Sequence, residues 1–194
     1  MKEEILKLDE MIDQLQKFTD YVFTSYKSLT REVVLTGMIV KKTMDILDTA
    51  KYTLKNYIIS TQISLLRLLC DNCLALQSVK ELGIEKYLDM LTNHVKVNTI
   101  MIDDEQNMSD GYLKKRVAIS YPGFDRLYNF ACEGVHFSSQ ALGSAFSQND
   151  DGTISSHICV GNKELKNEMI ANNAQMITLC KVIIDMLKKI CFKN

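Results

Sequence analysis

The segment Leu54–Lys80, which reads LKNYIISTQISLLRLLCDNCLALQSVK, decides the fold of this chain. Wound as an α-helix, it carries apolar side chains around most of its circumference: Ile58, Ile59, Ile63, Leu65, Leu66, Leu68, Leu69, Leu74 and Leu76. A helix that is apolar nearly all round is buried among other helices. The segment therefore predicts the central helix of an all-α bundle. Arg67 and Asp71 lie at its centre, and because charges are costly in lipid, we expect a buried helix rather than a membrane span.

Two long amphipathic helices flank this centre, one at each end of the chain. The first, about Lys2 to Leu29, repeats apolar residues three and four apart: Ile5, Leu8, Ile12, Leu15, Val22, Tyr26 and Leu29. The last, about Lys163 to Phe192, repeats Leu165, Met169, Asn172, Met176, Leu179, Ile183, Met186 and Ile190. Such seams are typical of helices that pack together. We expect the two helices to pair with each other or with a second copy, and Asn172 to fix the register or the choice of partner.

The rest of the chain predicts shorter elements, separated by turn and cap residues. Helices are expected at Thr30–Lys51, Ile84–Asn98, Ser109–Ser120 and Gly123–His136, and a short strand or hairpin at Thr153–Val160. Thr30 and either Ser109 or Asp110 are the expected helix caps. The predicted fold class is an all-α multi-helix bundle with long N- and C-terminal amphipathic helices and one minor β hairpin. Residues 1–194 are expected to form a single domain.

The composition excludes several classes of protein. Of 194 residues, 46% are hydrophobic and 24% charged, which excludes wholesale disorder. A formal net charge of −1 argues against a uniformly basic nucleic-acid binder, though not against a local basic patch. The N-terminus has no apolar signal-peptide core, and six cysteines in a chain of this length favour free thiols. We expect a cytoplasmic protein that is not inserted in a membrane.

The central helix carries one narrow polar stripe. Ser60, Ser64, Arg67 and Asp71 fall within about 60° of one another at 100° per residue. Arg67 and Asp71, four residues apart, are able to reach each other. An unpaired buried charge costs several kcal/mol, so Arg67 requires a partner, a cavity or the surface. Three hypotheses follow: an internal ion pair that locks the bundle, a guanidinium that faces an anionic ligand such as phosphate, or simple exposure of the stripe to solvent.

A second polar row lies on the helix Gly123–His136. Its apolar stripe comprises Phe124, Leu127, Tyr128, Ala131 and Val135, and beside it lie Asp125, Asn129, Cys132 and His136. Because the ordinary pKa of histidine is about 6.5, His136 is the natural acid–base candidate. The alternative is a partly buried histidine that donates one hydrogen bond. Both hypotheses stay open at this point.

A zinc site has some support from residue types. Cys70, Cys73, Cys132 and His136 together supply three thiolates and an imidazole. Both pairs lie inside predicted helices, without the tight turns of zinc knuckles, so we expect neither a metal nor a cofactor. His94 and His157 have no matching partners near them in sequence and are expected at surface or structural positions. Phosphate-binding loops and the common hydrolase and dehydrogenase motifs do not occur in the sequence.

Three short motifs carry a family resemblance that spans about Ser60 to Ser138. They are Ser64-Leu-Leu-Arg67-Leu-Leu-Cys-Asp71, then Asp110-Gly-Tyr-Leu-Lys114, then Tyr121-Pro-Gly-Phe-Asp-Arg-Leu-Tyr128-Asn-Phe-Ala-Cys-Glu-Gly-Val-His136-Phe-Ser138. This pattern resembles a group of bacterial helical proteins that are similar to the HEPN superfamily (higher eukaryotes and prokaryotes nucleotide-binding). These are helical bundles found among toxin–antitoxin and phage-defence proteins.

The resemblance implies an activity and a set of site residues. HEPN ribonucleases use an Arg and a His that are separated by four to six residues on one helix, and these act on the 2′-OH and scissile phosphate of RNA without a metal. Here nine residues separate Arg126 from His136, so the implied catalytic pair is Arg67 with His136 from two helices. His136 would be the general acid or base and Arg67 would hold the phosphate. The supporting groups would be Asp71, Tyr128, Asn129, Glu133 and Ser138.

The sequence therefore supports two hypotheses about the function of the protein. The first is a bacterial HEPN-like protein with a polar Arg67/Asp71/His136 pocket, a metal-independent ribonuclease in defence or stress that binds RNA or another anionic ligand. The second is a non-catalytic interaction module that forms a homodimer or binds a partner protein, in which the same cluster is a structural lock. The sequence leaves open whether the protein is an enzyme.

Overall fold

The computed structural model describes residues 1–103, 106–135, 146–156, 161 and 163–192. Among them it places seven α-helices: α1 (Lys2–Ser25), α2 (Arg31–Asn56), α3 (Ile59–Leu82), α4 (Ile84–Thr92), α5 (Asp110–Ser120), α6 (Phe124–Glu133) and α7 (Lys166–Cys191). Short 3₁₀ turns lie at Val97–Thr99 and Lys163–Leu165, and two strands at β1 (Phe146–Gln148) and β2 (Ile154–Ser156). The predicted all-α bundle is confirmed.

Helix α3 is the centre of the bundle, as the Leu54–Lys80 segment predicts. It packs against α2, α4, α5, α6 and α7, while α1 covers α2 and α7 from the other side. Leu66, Leu69 and Leu76 are fully buried and join one continuous core with side chains of the other helices. Its polar residues Gln62 and Asn72 are buried too. Because α3 has neighbours on most sides, nearly its whole circumference is removed from water.

The two terminal helices pair within the chain, which confirms the first of the two pairings expected. Leu8, Leu15 and Val22 of α1 are buried, as are Met176 and Ile183 of α7. Met11 and Phe18, which the predicted seam omits, are buried as well, because α1 packs against both α2 and α7 and needs a wider apolar face than one partner requires. Most of both seams therefore packs within a single chain, whereas Leu29, also predicted for the first seam, is 81% exposed beyond the end of α1.

Several helix boundaries differ from those predicted. α1 ends at Ser25 rather than Leu29, and the third helix begins at Ile59 rather than Leu54. The chain turns at Tyr57, which has left-handed backbone angles (φ 56°) and breaks the helical path between α2 and α3. Leu54 consequently lies in the last turn of α2, where it is buried. A tyrosine rarely adopts this conformation, which glycine usually takes at a helix end. The sequence has no glycine here, and the break between the helices is therefore not visible in it.

The fourth predicted helix, Ile84–Asn98, is too long. α4 ends at Thr92, and His94 adopts a positive φ of 56° just beyond it. Tyr87 is buried as predicted, but Leu91 and Val95, also predicted to face inward, are exposed. Since the helix stops one turn earlier, the face that was to carry Val95 into the core does not form.

Helices α5 and α6 form an antiparallel hairpin that packs on α3. The Ser109 hydroxyl accepts the amide of Tyr112 at 3.3 Å and caps α5, as expected. Gly123, with φ 91°, closes the turn between the helices, and α6 ends at Glu133, before the predicted end at His136. β1 pairs antiparallel with β2, and the remainder of the predicted strand, residues 157–160 including His157, lies outside the described residues. No helix in the described part of the chain is long and apolar enough to cross a membrane.

Candidate functional site

Arg67 lies near the middle of α3, on the side that faces the α5–α6 hairpin. Its side chain is only 17% exposed. Asp71, one turn further along the same helix, forms an ion pair with the guanidinium Nη1. The i,i+4 pairing expected from the sequence is therefore present, and Asp71 gives the buried cation its first countercharge.

The hairpin supplies the other partners of Arg67. Nε–H donates to the Sγ of Cys132 at 3.0 Å, and Nη2 donates to Asp110 Oδ2 at 3.3 Å and to the hydroxyl of Tyr128. Tyr128 in turn donates to the same Asp110 oxygen at 2.8 Å. We call these five residues the Arg67 cluster: Arg67, Asp71, Asp110, Tyr128 and Cys132. The cluster ties α3 to both α5 and α6.

Local sequence explains why these groups meet. Asp110 stands in the first turn of α5, directly after the Ser109 cap. The Tyr121-Pro-Gly turn reverses the chain, so that the end of α6 returns beside the start of α5. Tyr128 and Cys132 are four residues apart and share one side of α6. The hairpin thus brings a carboxylate, a phenol and a thiol to one face, which α3 meets at Arg67.

The electrostatics of the cluster hold Tyr128 in its neutral form. Burial raises the pKa of the Tyr128 phenol, the hydrogen bond to Asp110 raises it further, and the nearby Arg67 cation opposes both effects. The guanidinium carbon also lies 4.2 Å from the centre of the tyrosine ring, a cation–π contact. Tyr128 is thus a proton donor to Asp110, and the ion cluster contains one cation and two carboxylates.

The other predicted site residues lie around this cluster or beyond it. Asn129 is exposed and accepts a 2.7 Å hydrogen bond from Lys114. Glu133 is exposed at the last residue of α6. His136 and Ser138 lie outside the described residues. Of the residues predicted for the site, the structure brings together Arg67, Asp71 and Tyr128.

Two partners of Arg67 are not recognised from the sequence as members of its site. The sequence indicates Asp110 only as a candidate helix cap. It indicates Cys132 as part of a separate polar row or as a candidate zinc ligand. The informative feature is the Tyr121-Pro-Gly turn, which predicts a helical hairpin. Such a hairpin brings Asp110 and Lys114 of one helix beside Tyr128 and Cys132 of the other.

A cavity of about 360 Å³ opens beside the Arg67 cluster. Besides Arg67, Asp71 and Cys132, it is lined by Ser64, Leu68 and Val135. Leu68 is 39% exposed and Val135 is 48% exposed. We call this cavity the clamp groove. It has apolar walls and an acidic edge, because the partly exposed Asp71 lines it and Asp110 lies next to Arg67.

The described cysteines do not make a metal site. Cys70 and Cys73 are fully buried in α3, and burial raises the pKa of both thiols, that of Cys70 to about 12. Both stay protonated and behave as small apolar side chains. Within the described ranges, no group of three or more His, Cys, Asp or Glu side chains is placed to hold a metal ion.

Comparisons with known proteins add no assignment: no family model, no curated protein and no solved structure matches the chain. The fold and the site define an all-α bundle whose central helix carries an arginine clamped by a helical hairpin. Its function is inferred from the residues themselves.

Proposed function

We propose that this protein is a non-catalytic interaction module, in which the Arg67 cluster is a structural lock and the clamp groove receives a segment of a partner protein. The observation that carries the proposal is the engagement of the guanidinium. Nε and Nη2 already donate hydrogen bonds, to Cys132 and to Asp110 with Tyr128, whereas Nη1 is buried, makes no hydrogen bond and forms an ion pair with Asp71. A guanidinium that binds phosphate needs donors directed at the ligand.

Charge also favours a lock over an anion site. Two carboxylates surround the single cation, so an incoming phosphate meets local negative charge. Displacing Asp71 or Asp110 would leave a carboxylate without its countercharge. By contrast, the existing contacts stabilise the attachment of α5 and α6 to α3, since they supply the partners of a largely buried guanidinium.

The clamp groove suggests the chemistry of the partner. Leu68 and Val135 present apolar surface and Asp71 lines the same groove, while Asp110 pairs with Arg67 beside it. The complementary ligand is an apolar side chain followed or preceded by Lys or Arg. A peptide segment of a partner protein supplies both in a few residues.

The lock is tested by matched arginine substitutions. Arg67→Met removes the charge and keeps most of the side-chain volume, and we expect the free energy of unfolding to fall by about 2–3 kcal/mol. Hydrogen exchange should accelerate in α5 and α6 while α1 stays protected. Arg126→Met, at an exposed arginine of α6, is the control and should change stability by less than about 0.5 kcal/mol. Equal stability of the two variants would refute the lock.

The groove is tested with peptides displayed on phage and selected against the wild-type protein. We expect enriched peptides to combine Lys or Arg with a neighbouring apolar residue. Leu68→Lys should weaken their binding about tenfold, because it removes apolar contact and repels a basic peptide. Ile119→Lys, at an exposed position on α5 that does not line the groove, should leave binding unchanged. Peptides that bind Leu68→Lys as tightly as wild type would refute the groove.

A ribonuclease is the second candidate, and one observation favours it. Val135, the residue directly before His136, lines the same cavity as Arg67. The test is cleavage of a mixed set of labelled RNAs in EDTA by the wild-type protein, with His136→Ala and Arg67→Lys as variants. Cleavage by the wild-type protein that both variants lose would replace the interaction module with the nuclease. The interaction module predicts no cleavage by any of the three.

A further inference from the structure

A second cavity lies at the opposite edge of α3 from the clamp groove and shares no lining residue with it. It encloses about 300 Å³ at the junction of α2, α3, α4, the α5–α6 turn and α7. Its floor is apolar and is formed by Leu76, Val79, Ile84, Met186 and Ile190. This volume is at the lower end of the range of about 300–1,000 Å³ typical of ligand pockets, so it fits one small molecule.

Two opposite charges line the cavity without neutralising each other. Glu32, half-buried in the first turn of α2, and Lys80, exposed in the last turn of α3, both contribute to its wall. Neither forms a hydrogen bond or an ion pair with any residue in the described part of the chain. Their charged groups are therefore available to a ligand that carries both signs.

The third charged group of the wall, Lys189, and the phenol of Tyr121 are already occupied. Lys189 Nζ donates to Asp185 Oδ2 at 2.6 Å, and the hydroxyl of Tyr121 donates to the same oxygen at 2.5 Å. Burial and the contact with Asp185 raise the pKa of Tyr121 to about 12, so this side of the wall is a neutral phenol beside a closed ion pair. Glu32 and Lys80 are thus the groups that distinguish one ligand from another.

We propose that this cavity binds a small zwitterion with an apolar body, of the class of free α-amino acids with a large aliphatic or aromatic side chain. The ammonium group of the ligand pairs with Glu32, the carboxylate pairs with Lys80, and the side chain occupies the apolar floor. This inference goes beyond the proposed interaction module and does not depend on it.

The test is isothermal titration calorimetry of the full chain with three related probes. L-Phenylalanine carries both charges, 3-phenylpropionate lacks the ammonium group and phenethylamine lacks the carboxylate. We expect phenylalanine to bind about tenfold more tightly than either analogue, since each charge-assisted hydrogen bond contributes about 1.5 kcal/mol or more. Glycine, which has both charges and no apolar body, should not bind detectably.

Two variants assign the charges. Glu32→Gln should weaken phenylalanine and phenethylamine about tenfold and leave 3-phenylpropionate unchanged, whereas Lys80→Met should weaken phenylalanine and 3-phenylpropionate and leave phenethylamine unchanged. Lys86→Met, at an exposed lysine of α4 outside the cavity, is the matched control. Ile190→Trp, which fills the cavity from its half-buried edge, should abolish binding of all three probes.

Three outcomes would overturn the proposal. They are the absence of any binding by phenylalanine, equal affinities for the three probes, and phenylalanine binding that neither charge variant changes. Equal affinities would mean an apolar cavity that does not recognise charge. Because Glu32 and Lys80 lie at half-buried and exposed positions, their variants are expected to fold, and far-ultraviolet circular dichroism checks this.

Discussion

Burial divides the cysteines of this chain into one accessible thiol and four protected ones among the residues described. Burial raises the pKa of Cys70 and Cys180 to about 12 and also raises the pKa of Cys73 and Cys191. Cys132 is only half-buried and lines the clamp groove. We predict that brief exposure to iodoacetamide at about pH 8 alkylates Cys132 well before the other four, because alkylation requires an accessible thiolate. Peptide mass spectrometry of the native protein measures this order.

Cys132→Ser is the control for this labelling. It should remove the fast-reacting peptide and leave the other four peptides unlabelled until urea is added. If Cys70 or Cys73 reacted as quickly as Cys132 in the native protein, α3 would not be buried as the structure has it.

The contact between Asp185, Lys189 and Tyr121 predicts a pH dependence of stability. The hydrogen bond from Lys189 and then that from Tyr121 hold the pKa of the Asp185 carboxyl below its usual value. A depressed pKa stabilises the fold above the unfolded-state value of about 3.9, and this stabilisation is lost as the pH falls through the lower folded-state pKa. Because the side chain is 45% exposed, we expect a contribution of less than about 1 kcal/mol.

Asp185→Asn should therefore lower the free energy of unfolding at pH 7 and have little effect near pH 2.5. Urea denaturation of both proteins at the two pH values measures the difference. Asp13→Asn, at an exposed position of α1, is the matched control. Its effect on the free energy of unfolding should be the same at both pH values. A destabilisation by Asp185→Asn that persists undiminished near pH 2.5 would show that charge does not cause it.

At the scale of the helices, the end of α4 carries a backbone conformation that its residue does not favour. His94 is exposed and has φ 56°, just after the last residue of the helix. Residues other than glycine are strained in this positive-φ conformation, by roughly 1 kcal/mol. We predict that His94→Gly raises the free energy of unfolding by about 0.5–1 kcal/mol. Asn93→Gly, one residue earlier at φ −92°, should lower it instead, and urea denaturation compares the two.

The starts of α2 and α5 are easier to predict from this sequence than the ends of α2 and α4. Thr30 and Ser109 are capping residues whose side chains accept the amides of Val33 and Tyr112, so the starts of α2 and α5 can be read from the sequence. Tyr57 and His94 take the place that glycine usually has at a helix end. Because neither residue type marks a helix end in the sequence as glycine does, the predicted boundaries of α3 and α4 were wrong.

The residues of the candidate site also fall into two groups: those that the sequence predicts and those that only the fold reveals. Arg67 and Asp71 are four residues apart on one helix, so their contact follows from helical geometry alone. Asp110 and Cys132 come to Arg67 only because the α5–α6 hairpin docks on α3, which depends on contacts across many residues. Sequence patterns therefore find the arginine and its first partner, and the fold is needed to find the rest.

At the scale of the whole molecule, the structure limits how copies of the chain associate. The seams of α1 and α7 contain fully buried residues such as Leu15 and Ile183, which contact the core of their own chain. A dimer formed through these seams would first have to separate α1 and α7 from α2 and α3. Any interaction of the folded chain must then use exposed surface, so the proposed binding site is a groove rather than a seam.

The central position of α3 predicts how stability is distributed across the molecule. Leu66 is 0% exposed and Leu68, two residues later on the same helix, is 39% exposed. Leu66→Ala should lower the free energy of unfolding by about 3 kcal/mol or more, because it removes apolar contact and leaves a cavity. Leu68→Ala should lower it by less than about 1 kcal/mol, since its side chain is partly hydrated already. Urea denaturation measures both against the wild type, and near-equal losses would contradict a bundle built around α3.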